Sequence, residues 1–292
     1  MRSLRSVLAR RRRVSVAMAT FNGERYLPEM LASLASQTRP PDELVVRDDG
    51  SSDRTLELVH DFAVGAPFPV HVVPGGVRLG YAQNFVAASR ACTGDLLFFA
   101  DQDDVWRPEK LETVARTVGR DDVEAVFHDF ALQDAEGCPI APSYAEVLAE
   151  RGFRPVAALK GCSIAVTRGF TETWGWPPLS SPVSHDFWVT LLATAFGQRR
   201  IIPDVLIDHR IHDANTSGWI PDAGSREFTV SGDGATDVDL LIDLVVKPPR
   251  VRGMTRTFLD VVHERGDAVD VDAARRLRRS LRENRRRHRE RQ

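Results

Sequence analysis

The sequence predicts an α/β protein built on a mostly parallel, mixed central sheet. Short apolar segments rich in β-formers alternate with segments whose apolar residues recur at helical spacing, from Val14 to about Val118. Such alternation is typical of parallel strands joined by helices. Three of the predicted strands end in polar clusters, and ligands of these sheets bind beyond the carboxyl ends of the strands. The pattern therefore predicts both the fold class and the edge of the sheet that holds the site.

The first four strands and the helices between them form the clearest part of the pattern. The predicted strands are Val14–Ala19, Glu43–Arg47, Val70–Val73 and Leu96–Ala100. Helical spacing is found in residues 24–37, in the segment from Leu56 to Phe62, and in residues 82–92. Pro40-Pro41 separates the first helix from the second strand, because proline interrupts both kinds of element.

The second half of the chain is less regular. A helix is predicted after Lys110 to about Val118, and another over residues 184–197, which opens with His185-Asp186. Further strands are predicted at Ala125–Phe130, Gly161–Thr167 and Ile201–Ile207. Beyond Trp219 the pattern weakens to two helical segments, Leu240–Val246 and Phe258–His263, and an arginine-rich end that is either helical or disordered.

Charge is distributed unevenly along the chain. The net charge is −2, but residues 1–13 hold six arginines and no acid, and residues 275–292 hold ten arginines against two glutamates. The body between these ends is therefore strongly acidic, which argues against a nucleic-acid groove across it. The basic ends are either solvated tails or segments that bind phosphate on an anionic membrane or on nucleic acid.

Composition and cysteine usage exclude several classes of protein. Hydrophobic residues make up 42% and charged residues 27% of the chain, as in soluble globular proteins. The longest apolar runs, such as Leu96–Ala100, fall far below the roughly 20 residues of a membrane span. Cys92, Cys138 and Cys162 lack the spacing of a zinc site or a disulfide framework. Arg10–Thr20 resembles an export signal only faintly, because polar residues interrupt it, so we expect a cytoplasmic protein.

The strongest local signal is the cluster Asp101-Gln102-Asp103-Asp104, which directly follows an apolar strand. Three carboxylates packed together repel one another unless one is protonated or a cation neutralises them. Mg²⁺ and Mn²⁺ prefer oxygen ligands and commonly join one or two carboxylates to substrate phosphates. The cluster therefore predicts a divalent-metal site. The alternative is a solvated acidic turn that caps the following helix.

A second acidic cluster, Asp48-Asp49-Gly50-Ser51-Ser52-Asp53, follows the second strand. Gly50 permits a tight turn, and the residues after it can cap the next helix. Capping leaves Asp48 and Asp49 without an explanation. A carboxylate at this position can accept hydrogen bonds from the edge of a nucleotide base or from a ribose.

Seven segments of the chain occur in the order seen in family 2 glycosyltransferases. They are Val14–Asn22, Asp48–Asp53, Leu79–Phe85, Phe99–Trp106, Lys160–Cys162, His185–Trp188 and His209–Asn215. The ordered set covers about residues 14–218 and most resembles the bacterial rhamnosyltransferase-like branch. The resemblance implies a GT-A fold, an αβα sandwich that binds a nucleotide-sugar and a divalent metal, Mg²⁺ or Mn²⁺.

The resemblance also assigns residues to the donor and the metal. The implied donor-nucleotide residues are Thr20, Phe21, Asn22, Glu24, Asp48, Asp49, Gly80, Asn84, Asp101 and Gln102. The implied metal ligands are Asp103, Asp104 and His212. Asp101 and Asp103 form the DxD element, near the ribose and the metal-bound diphosphate respectively. The metal of such enzymes neutralises the diphosphate leaving group. The family commonly has asparagine where Arg78 stands, so that donor contact is left unassigned.

His185-Asp186 matches the catalytic pair of the family, which is often Glu-Asp and is His-Asp in the rhamnosyltransferase-like branch. Asp186 would deprotonate an acceptor hydroxyl as it attacks the anomeric carbon, in a single inverting displacement. The alternative is an acidic residue favoured by the dipole at a helix N-terminus. His185 and Trp188 are candidate acceptor contacts. Arg210 is expected to pair with a phosphate, or with Asp208 or Asp213.

The predicted organisation has three parts. Residues 1–13 form a basic tail, residues 14–218 a GT-A domain, and residues 219–292 a helical extension with an arginine-rich end. The predicted function is metal-dependent transfer of a sugar to a glycan or lipid-linked acceptor in cell-surface polysaccharide synthesis. The first donor to consider is dTDP-rhamnose, followed by a UDP-sugar. The basic ends suit docking at the inner face of the cell membrane, and no nucleic-acid partner is expected.

Two other functions are compatible with parts of the sequence. Asp101–Val105 matches the nucleophile loop of haloacid-dehalogenase-type phosphatases, Gly232–Asp237 matches their later metal element, and Lys160 is a candidate charge partner. That nucleophile normally follows the first strand of its domain, whereas at least three predicted strands precede Asp101. The second alternative is a non-catalytic protein that binds anionic surfaces through its basic ends, which would leave the acidic clusters without a role.

Overall fold

A nine-stranded mixed sheet forms the centre of the computed structural model, which describes residues 11–118, 123–152, 160–215, 242 and 251–290. The strands are β1 (Val14–Thr20), β2 (Glu43–Asp48), β3 (Val70–Val73), β4 (Leu96–Asp101), β5 (Val105–Trp106), β6 (Ala125–Gln133), β7 (Pro139–Ala141), β8 (Ile164–Thr167) and β9 (Arg199–Arg210). Their order in the sheet is β3-β2-β1-β4-β8-β6-β9-β5, with β7 paired to β6.

The first four strands are parallel, as the sequence pattern predicts. β1 lies between β2 and β4, and β2 also pairs with β3. β8 then runs antiparallel to both β4 and β6, whereas β6 and β9 are parallel. Because β1, β2 and β4 point the same way, the segments that follow them meet at one edge of the sheet.

The described helices cover both faces of this sheet. They are α1 (Leu27–Ala35), α2 (Thr55–Gly65), α3 (Tyr81–Ala91), α4 (Lys110–Thr117), α5 (Tyr144–Glu150), α6 (Arg168–Trp174), α7 (His185–Ala195), α8 (Val251–Val261) and α9 (Val271–Glu290). A π-helical segment, Val262–Gly266, and a short turn, Asp267–Val269, join α8 to α9.

Two apolar cores lie on opposite faces of the sheet. Successive side chains of a strand point to opposite faces, so Phe98 and Phe99 of β4 belong to different cores. Phe98 packs with Trp106 on the side of α1 and α4. Phe99 belongs to the core that includes residues of α3, α7, α8 and α9. The result is the predicted αβα sandwich, with C-terminal helices added to one layer.

The structure differs from the sequence pattern mainly at short elements. β5, β7, α5 and α6 were not predicted, because each is too short to show a period. Gly161–Ser163 forms a 3₁₀ turn before β8 rather than the start of a strand. The arginine-rich end is helical through Glu290, and Phe258–His263 spans the junction of α8 and the π-helical segment. Of the predicted helix Leu240–Val246, only Ile242 lies within the described residues.

No helix in the described part of the chain combines the length and the apolar character needed to cross a bilayer.

Candidate active site

A cavity of about 580 Å³ opens where β1, β2 and β4 end. It gathers residues from distant parts of the chain, and most of the predicted site residues line it. These are Thr20, Phe21, Asn22, Asp49, Gly80, Asn84, Asp101, Gln102, Asp103, His185, Asp186 and His212. Four predicted residues do not line it, namely Glu24, Asp48, Asp104 and Trp188. The cavity is also lined by Lys160, Gly161 and His209, which belong to the motif segments but were not assigned to the donor, the metal or the acceptor.

Two parts of the cavity have different chemistry. We call Phe21, Asn22, Asp49, Gly80 and Asn84 the β1–β2 end, because they lie at and beyond the ends of those strands. We call Asp101, Asp103, His185, Asp186 and His212 the acidic end, because three of the five are carboxylates.

Asp49 anchors the β1–β2 end through the loop that precedes α3. Its Oδ1 accepts a hydrogen bond from the backbone N–H of Leu79 at 2.7 Å, and its Oδ2 accepts one from Gly80 at 2.7 Å. The buried Arg47 guanidinium lies 3.0 Å from Oδ1 and also bonds the Asn84 side chain. Asn84 in turn donates to the Arg47 carbonyl at 2.9 Å. The sequence did not single out Arg47, since its bond to Asn84, 37 positions away along the chain, appears only in the folded structure.

Asp48 is engaged in local hydrogen bonds that shape the turn after β2. Its Oδ1 accepts from the backbone N–H groups of Gly50 and Ser51, and its Oδ2 accepts from the Thr20 hydroxyl at 2.9 Å. Gly50 has a φ of 89°, which a side chain would oppose. The turn-forming role therefore accounts for Asp48, and the Thr20 hydroxyl is used in the same network.

The loop after β1 is fastened to the acidic cluster by Gln102. The Gln102 amide accepts from the Phe21 N–H at 2.9 Å and donates to the Phe21 carbonyl at 3.0 Å. Asn22 accepts from the Ser52 N–H at 2.9 Å, and Glu24 accepts from the Arg54 N–H at 2.9 Å at the start of α2. Gln102 thus supports the cavity wall, whereas Glu24 serves the neighbouring helix.

The three carboxylates of the Asp101–Asp104 cluster have different surroundings. Asp101 and Asp103 remain on the cavity wall. Asp103 Oδ2 lies 2.7 Å from His212 Nε2 and 3.3 Å from Asn215 Nδ2. Asp104 is fully buried behind the wall, with Oδ1 2.7 Å from His209 Nδ1. The repulsion predicted for a clustered triplet is therefore partly relieved by one histidine for each of two carboxylates.

The remaining electrostatic conflict falls on Asp101. Burial and the neighbouring carboxylates of Asp104 and Asp103 raise the pKa of Asp101 to about 7. Burial also opposes ionisation of Asp104, but the facing His209 lowers the pKa of Asp104 overall. The same pair raises the pKa of His209, although burial acts in the opposite direction. A cation at this end of the cavity would relieve the repulsion that Asp101 experiences.

A second group of potential metal ligands lies behind the cavity wall. Asp104, Cys162 and His209 each offer a ligand atom, and these atoms lie within 4.8 Å of one another. Lys110 is buried beside them, and its ammonium donates to the Cys162 carbonyl at 2.7 Å. Burial lowers the pKa of Lys110 to about 7. A thiol is a poor ligand for Mg²⁺ or Mn²⁺, so Asp103 and His212 suit these ions better.

Asp186 lies in the first turn of α7 and faces the cavity. Its Oδ1 accepts hydrogen bonds from the Ser184 hydroxyl and from the Phe187 N–H at 2.7 Å, so the carboxylate is held in one orientation. Its Oδ2 has no hydrogen-bond partner within the part of the chain that the structure describes. The helix N-terminus favours a negative charge here. One oxygen is therefore fixed and the other is available to a ligand.

His185 is buried between the rings of Phe85 and Phe99, with ring centroids 4.4 Å and 4.7 Å away. Neither ring nitrogen has a hydrogen-bond partner among the described residues. Burial lowers the pKa of His185, so the ring is neutral. A Cβ at Gly161 would come within 2.3 Å of His185 Nε2. Glycine at 161 is therefore what lets the histidine ring occupy this position.

Trp188 occupies the core rather than the cavity. Its ring stacks on Phe258 of α8 at 5.1 Å, and its indole N–H donates to the Gly175 carbonyl at 3.0 Å. Trp188 therefore packs in the core, and the geometry offers no support for an acceptor contact.

Solved structures share the architecture of this chain. The structure of S. aureus TarS residues 1–349 in complex with UDP-GlcNAc superposes with a TM-score of 0.57 at 17% identity, and covers 93% of this chain and 92% of that one. The mannosyltransferase PcManGT from Pyrobaculum calidifontis, in complex with GDP-Man and Mn²⁺, gives 0.55 at 21% identity, with 92% and 79% covered. At these identities the likeness shows the fold, which is GT-A.

Relatives in sequence are glycosyltransferases of bacteria. An uncharacterized glycosyltransferase of Nostoc sp. is 27% identical over 240 residues, which are 76% of this chain and 72% of that protein. The dTDP-rhamnosyl transferase RfbG of Shigella flexneri is 31% identical over 99 residues, which are 32% of this chain and 34% of that protein. The first match extends over most of both chains, and the second covers about a third of each.

The family model described as glycosyl transferase family 2 matches residues 15–163. This range contains both acidic clusters and every residue of the β1–β2 end. Asp101 ends the fourth strand of the sheet, not the first, and the phosphatase interpretation is wrong; its second element, Gly232–Asp237, lies outside the described residues. The non-catalytic interpretation is wrong as well. The chain belongs to glycosyl transferase family 2 and is a glycosyltransferase with the GT-A fold.

Proposed function

We propose that this enzyme transfers a sugar, with inversion, from a nucleoside-diphosphate sugar to a hydroxyl group of a glycan or lipid-linked acceptor. The observation behind the proposal is that Asp101, Asp103 and Asp186 line one cavity, although they come from two distant segments of the chain. A carboxylate pair suited to a metal-bound diphosphate and a carboxylate suited to deprotonate an acceptor are the two groups that this reaction requires.

The β1–β2 end is the proposed site of the nucleotide. Phe21 and Asn22 line it, and Asp49 shapes its wall through the Leu79–Gly80 loop. The Arg78 guanidinium lies over the Phe21 ring at 3.8 Å, where a base or a phosphate would meet it. Support comes from the structural neighbours, whose complexes hold UDP-GlcNAc, UDP and GDP-Man.

Asp103 and His212 are the proposed metal ligands. Their carboxylate and imidazole atoms lie 2.7 Å apart on the cavity wall. The carboxylate oxygen suits both Mg²⁺ and Mn²⁺, whereas the imidazole nitrogen favours the transition metal Mn²⁺. Few protein ligands suffice for such ions, because substrate phosphates and water complete the shell. When bound, the cation would neutralise charge on the departing diphosphate. Asp104 faces away from the cavity, so we leave it out of the proposed ligand set.

Asp186 is the proposed general base. Ser184 and the Phe187 N–H hold its Oδ1, which leaves Oδ2 free to accept the proton of the acceptor hydroxyl. As that proton moves to Asp186, the acceptor oxygen forms a bond to the anomeric carbon and the bond to the diphosphate oxygen breaks. Attack opposite the leaving group inverts the configuration at the anomeric carbon. His185 would present a neutral imidazole to the transferred sugar or to the acceptor.

The transferred sugar and the acceptor are proposed from relatives in sequence. The partial match to a dTDP-rhamnosyl transferase favours dTDP-rhamnose as the first donor to test, and a UDP-sugar as the second. A role in cell-surface polysaccharide synthesis on the cytoplasmic side of the membrane is part of the same proposal.

Contact with an anionic membrane is proposed for the exposed face of α9. Ala274, Leu277 and Leu281 are buried against the rest of the protein. The opposite face exposes Arg275, Arg279, Arg282 and Arg286, at a spacing that aligns them over roughly 17 Å. Each arginine near an anionic surface contributes about 1 kcal/mol. Flotation with anionic vesicles should show binding at low salt and release at high salt; no binding at low salt would remove this part of the proposal.

The central proposal can be tested by thermal unfolding with a panel of nucleoside diphosphates and nucleotide-sugars, with and without Mn²⁺ or Mg²⁺. A ligand at about 100 times its dissociation constant stabilises a protein by roughly 2.7 kcal/mol. We expect a metal-dependent rise in Tm with thymidine or uridine diphosphate. No shift with any nucleotide in a folded sample would contradict the proposal.

A further inference from the structure

Arg210, the last residue of β9, is a buried guanidinium with partners in three other segments, and its side chain is only 3% exposed. Its Nε donates to the backbone carbonyl of Asp103 at 3.1 Å, and its Nη1 donates to the carbonyl of Ala135 at 3.2 Å. Its Nη2 bonds the Glu29 carboxylate of α1. None of these partners was expected from the sequence.

The same guanidinium also lies over the ring of Tyr26, with a separation of 4.8 Å from its centroid. The same ring contacts His212, whose imidazole centroid is 4.8 Å away, and the Arg25 guanidinium, 4.9 Å from the ring centroid. Arg210 therefore contacts Asp103 directly, through a backbone carbonyl, and supports His212 indirectly, through the Tyr26 ring that lies between them. It does not line the cavity itself.

Neither Asp103 nor His212 lies within a strand. Asp103 is in the turn between β4 and β5, and His212 lies two residues beyond the end of β9. Backbone outside regular elements is held by whatever contacts its neighbours supply. For these two residues Arg210 supplies contacts on the side away from the cavity, and Asp104 adds a bond to the backbone N–H of Arg210 at 3.3 Å.

We infer that Arg210 is a positioning residue, which holds Asp103 and His212 side by side so that both can bind one divalent cation. The inference rests on the proposed function, since that assigns the metal to this pair. Arginine is suited to the task because its planar group offers five donors in a fixed fork. A lysine offers one compact ammonium and cannot reach the carbonyls of Asp103 and Ala135 and the Glu29 carboxylate together.

The test is direct Mn²⁺ binding to the full chain, measured by calorimetry in the presence of a nucleoside diphosphate. Arg210→Lys should weaken Mn²⁺ binding at least 10-fold and shift half-maximal activation to higher Mn²⁺ concentration. Saturating Mn²⁺ should recover much of the lost turnover, which a general loss of packing would not allow. Arg107→Lys is the matched control. Arg107 pairs at 3.1 Å with Asp208 of β9, the strand that also holds Arg210, and it does not contact Asp103. Unchanged Mn²⁺ affinity in Arg210→Lys would overturn the inference.

A second variant keeps the inference testable if Arg210→Lys does not fold. Glu29 is 63% exposed, so Glu29→Gln removes only the charged partner of Arg210 and should fold. We expect Mn²⁺ binding about 2- to 5-fold weaker, and unchanged affinity in this variant would count against the positioning role. Asp103→Asn distinguishes a failure of the proposed metal site from a failure of the positioning role of Arg210. If Asp103→Asn also bound Mn²⁺ like the unmodified protein, the proposed metal site would fail, rather than the role of Arg210 within it.

Discussion

The two ends of the cavity differ in how their polar groups are satisfied. At the β1–β2 end, Asp49 and Asn84 are bonded to Arg47 and to backbone groups, so the wall is complete without a ligand. At the acidic end, Asp101 experiences unrelieved repulsion, and neither nitrogen of His185 has a partner among the described residues. Buried polar groups are normally paired, so unpaired ones call for an explanation.

This difference separates the residues that form the scaffold of the site from those that are available to bind a cation or substrate. Groups bonded within the protein cost little in the folded state and fix the shape of the site. Groups left unpaired or in conflict cost stability, and they gain most when a cation or substrate arrives. We therefore expect substitutions at the acidic end to affect turnover, and substitutions at the β1–β2 end to affect stability first.

A large effect is expected for Asp103→Asn. Loss of the charge that faces the metal and diphosphate should lower kcat/KM about 10³-fold, which is roughly 4 kcal/mol. Steady-state kinetics with Mn²⁺ present measures it, and the free energy of unfolding should change little. Asp213→Asn is the matched control, since this exposed acid lies next to His212 in sequence but does not line the cavity. Near-normal turnover in Asp103→Asn would remove the metal role assigned to the acidic end.

Asp49→Asn tests the other end of the cavity. Asp49 accepts one hydrogen bond from a backbone N–H on each of its two carboxylate oxygens. In asparagine an NH₂ group replaces one of these oxygens and faces an N–H donor, so the loop before α3 loses one hydrogen bond. We expect the free energy of unfolding to fall by about 1–3 kcal/mol, as for a buried bond left unmade. Urea denaturation measures the change, with Asp61→Asn on the exposed surface of α2 as the control. A variant as stable as the unmodified protein would show that this network is not a scaffold.

Gly161→Ala sharpens the role of His185. The added Cβ would lie 2.3 Å from His185 Nε2, so the ring must move. We expect a several-fold rise in KM for the nucleotide-sugar, with little change in affinity for the nucleoside diphosphate, because we propose that His185 faces the transferred sugar or the acceptor rather than the nucleotide. Gly65→Ala is the control, as nothing lies within 4 Å of its added Cβ. Equal losses of affinity for both ligands would place His185 elsewhere in the binding site.

The smallest effect concerns pH and the metal-free protein. The pKa of Asp101 is raised to about 7, so folding favours its protonated form. Its contribution to stability is present at low pH and is lost as pH rises towards and through 7. In excess chelator, the free energy of unfolding of the unmodified protein should therefore fall between pH 5 and pH 8 by more than that of Asp101→Asn. Parallel pH profiles for the two proteins would show that Asp101 is not the strained group.

Sequence reasoning found the fold and most of the cavity because both depend on local patterns. β1, β2 and β4 are apolar runs followed by acids, and the ends of parallel strands meet at one edge. It did not find Arg47, and it did not find the partners of Arg210, of which Glu29 lies 181 positions away along the chain. Cluster composition alone also could not separate Asp104, which faces His209 behind the wall, from Asp103, which faces the cavity. Composition also could not reveal that Trp188, a candidate acceptor contact, packs in the core, because its neighbour Phe258 comes from α8, far away along the chain.

The variant Asp186→Asn tests the proposed general base most directly, because it separates donor binding from the chemical step. Asparagine keeps the size of the side chain but cannot take the proton of the acceptor. We expect a loss of roughly 10²- to 10⁴-fold in kcat, with the dissociation constant of the Mn²⁺–nucleotide complex unchanged. Turnover like that of the unmodified enzyme, in a variant that binds donor normally, would contradict Asp186 as the base and with it the division of the cavity into scaffold and chemistry.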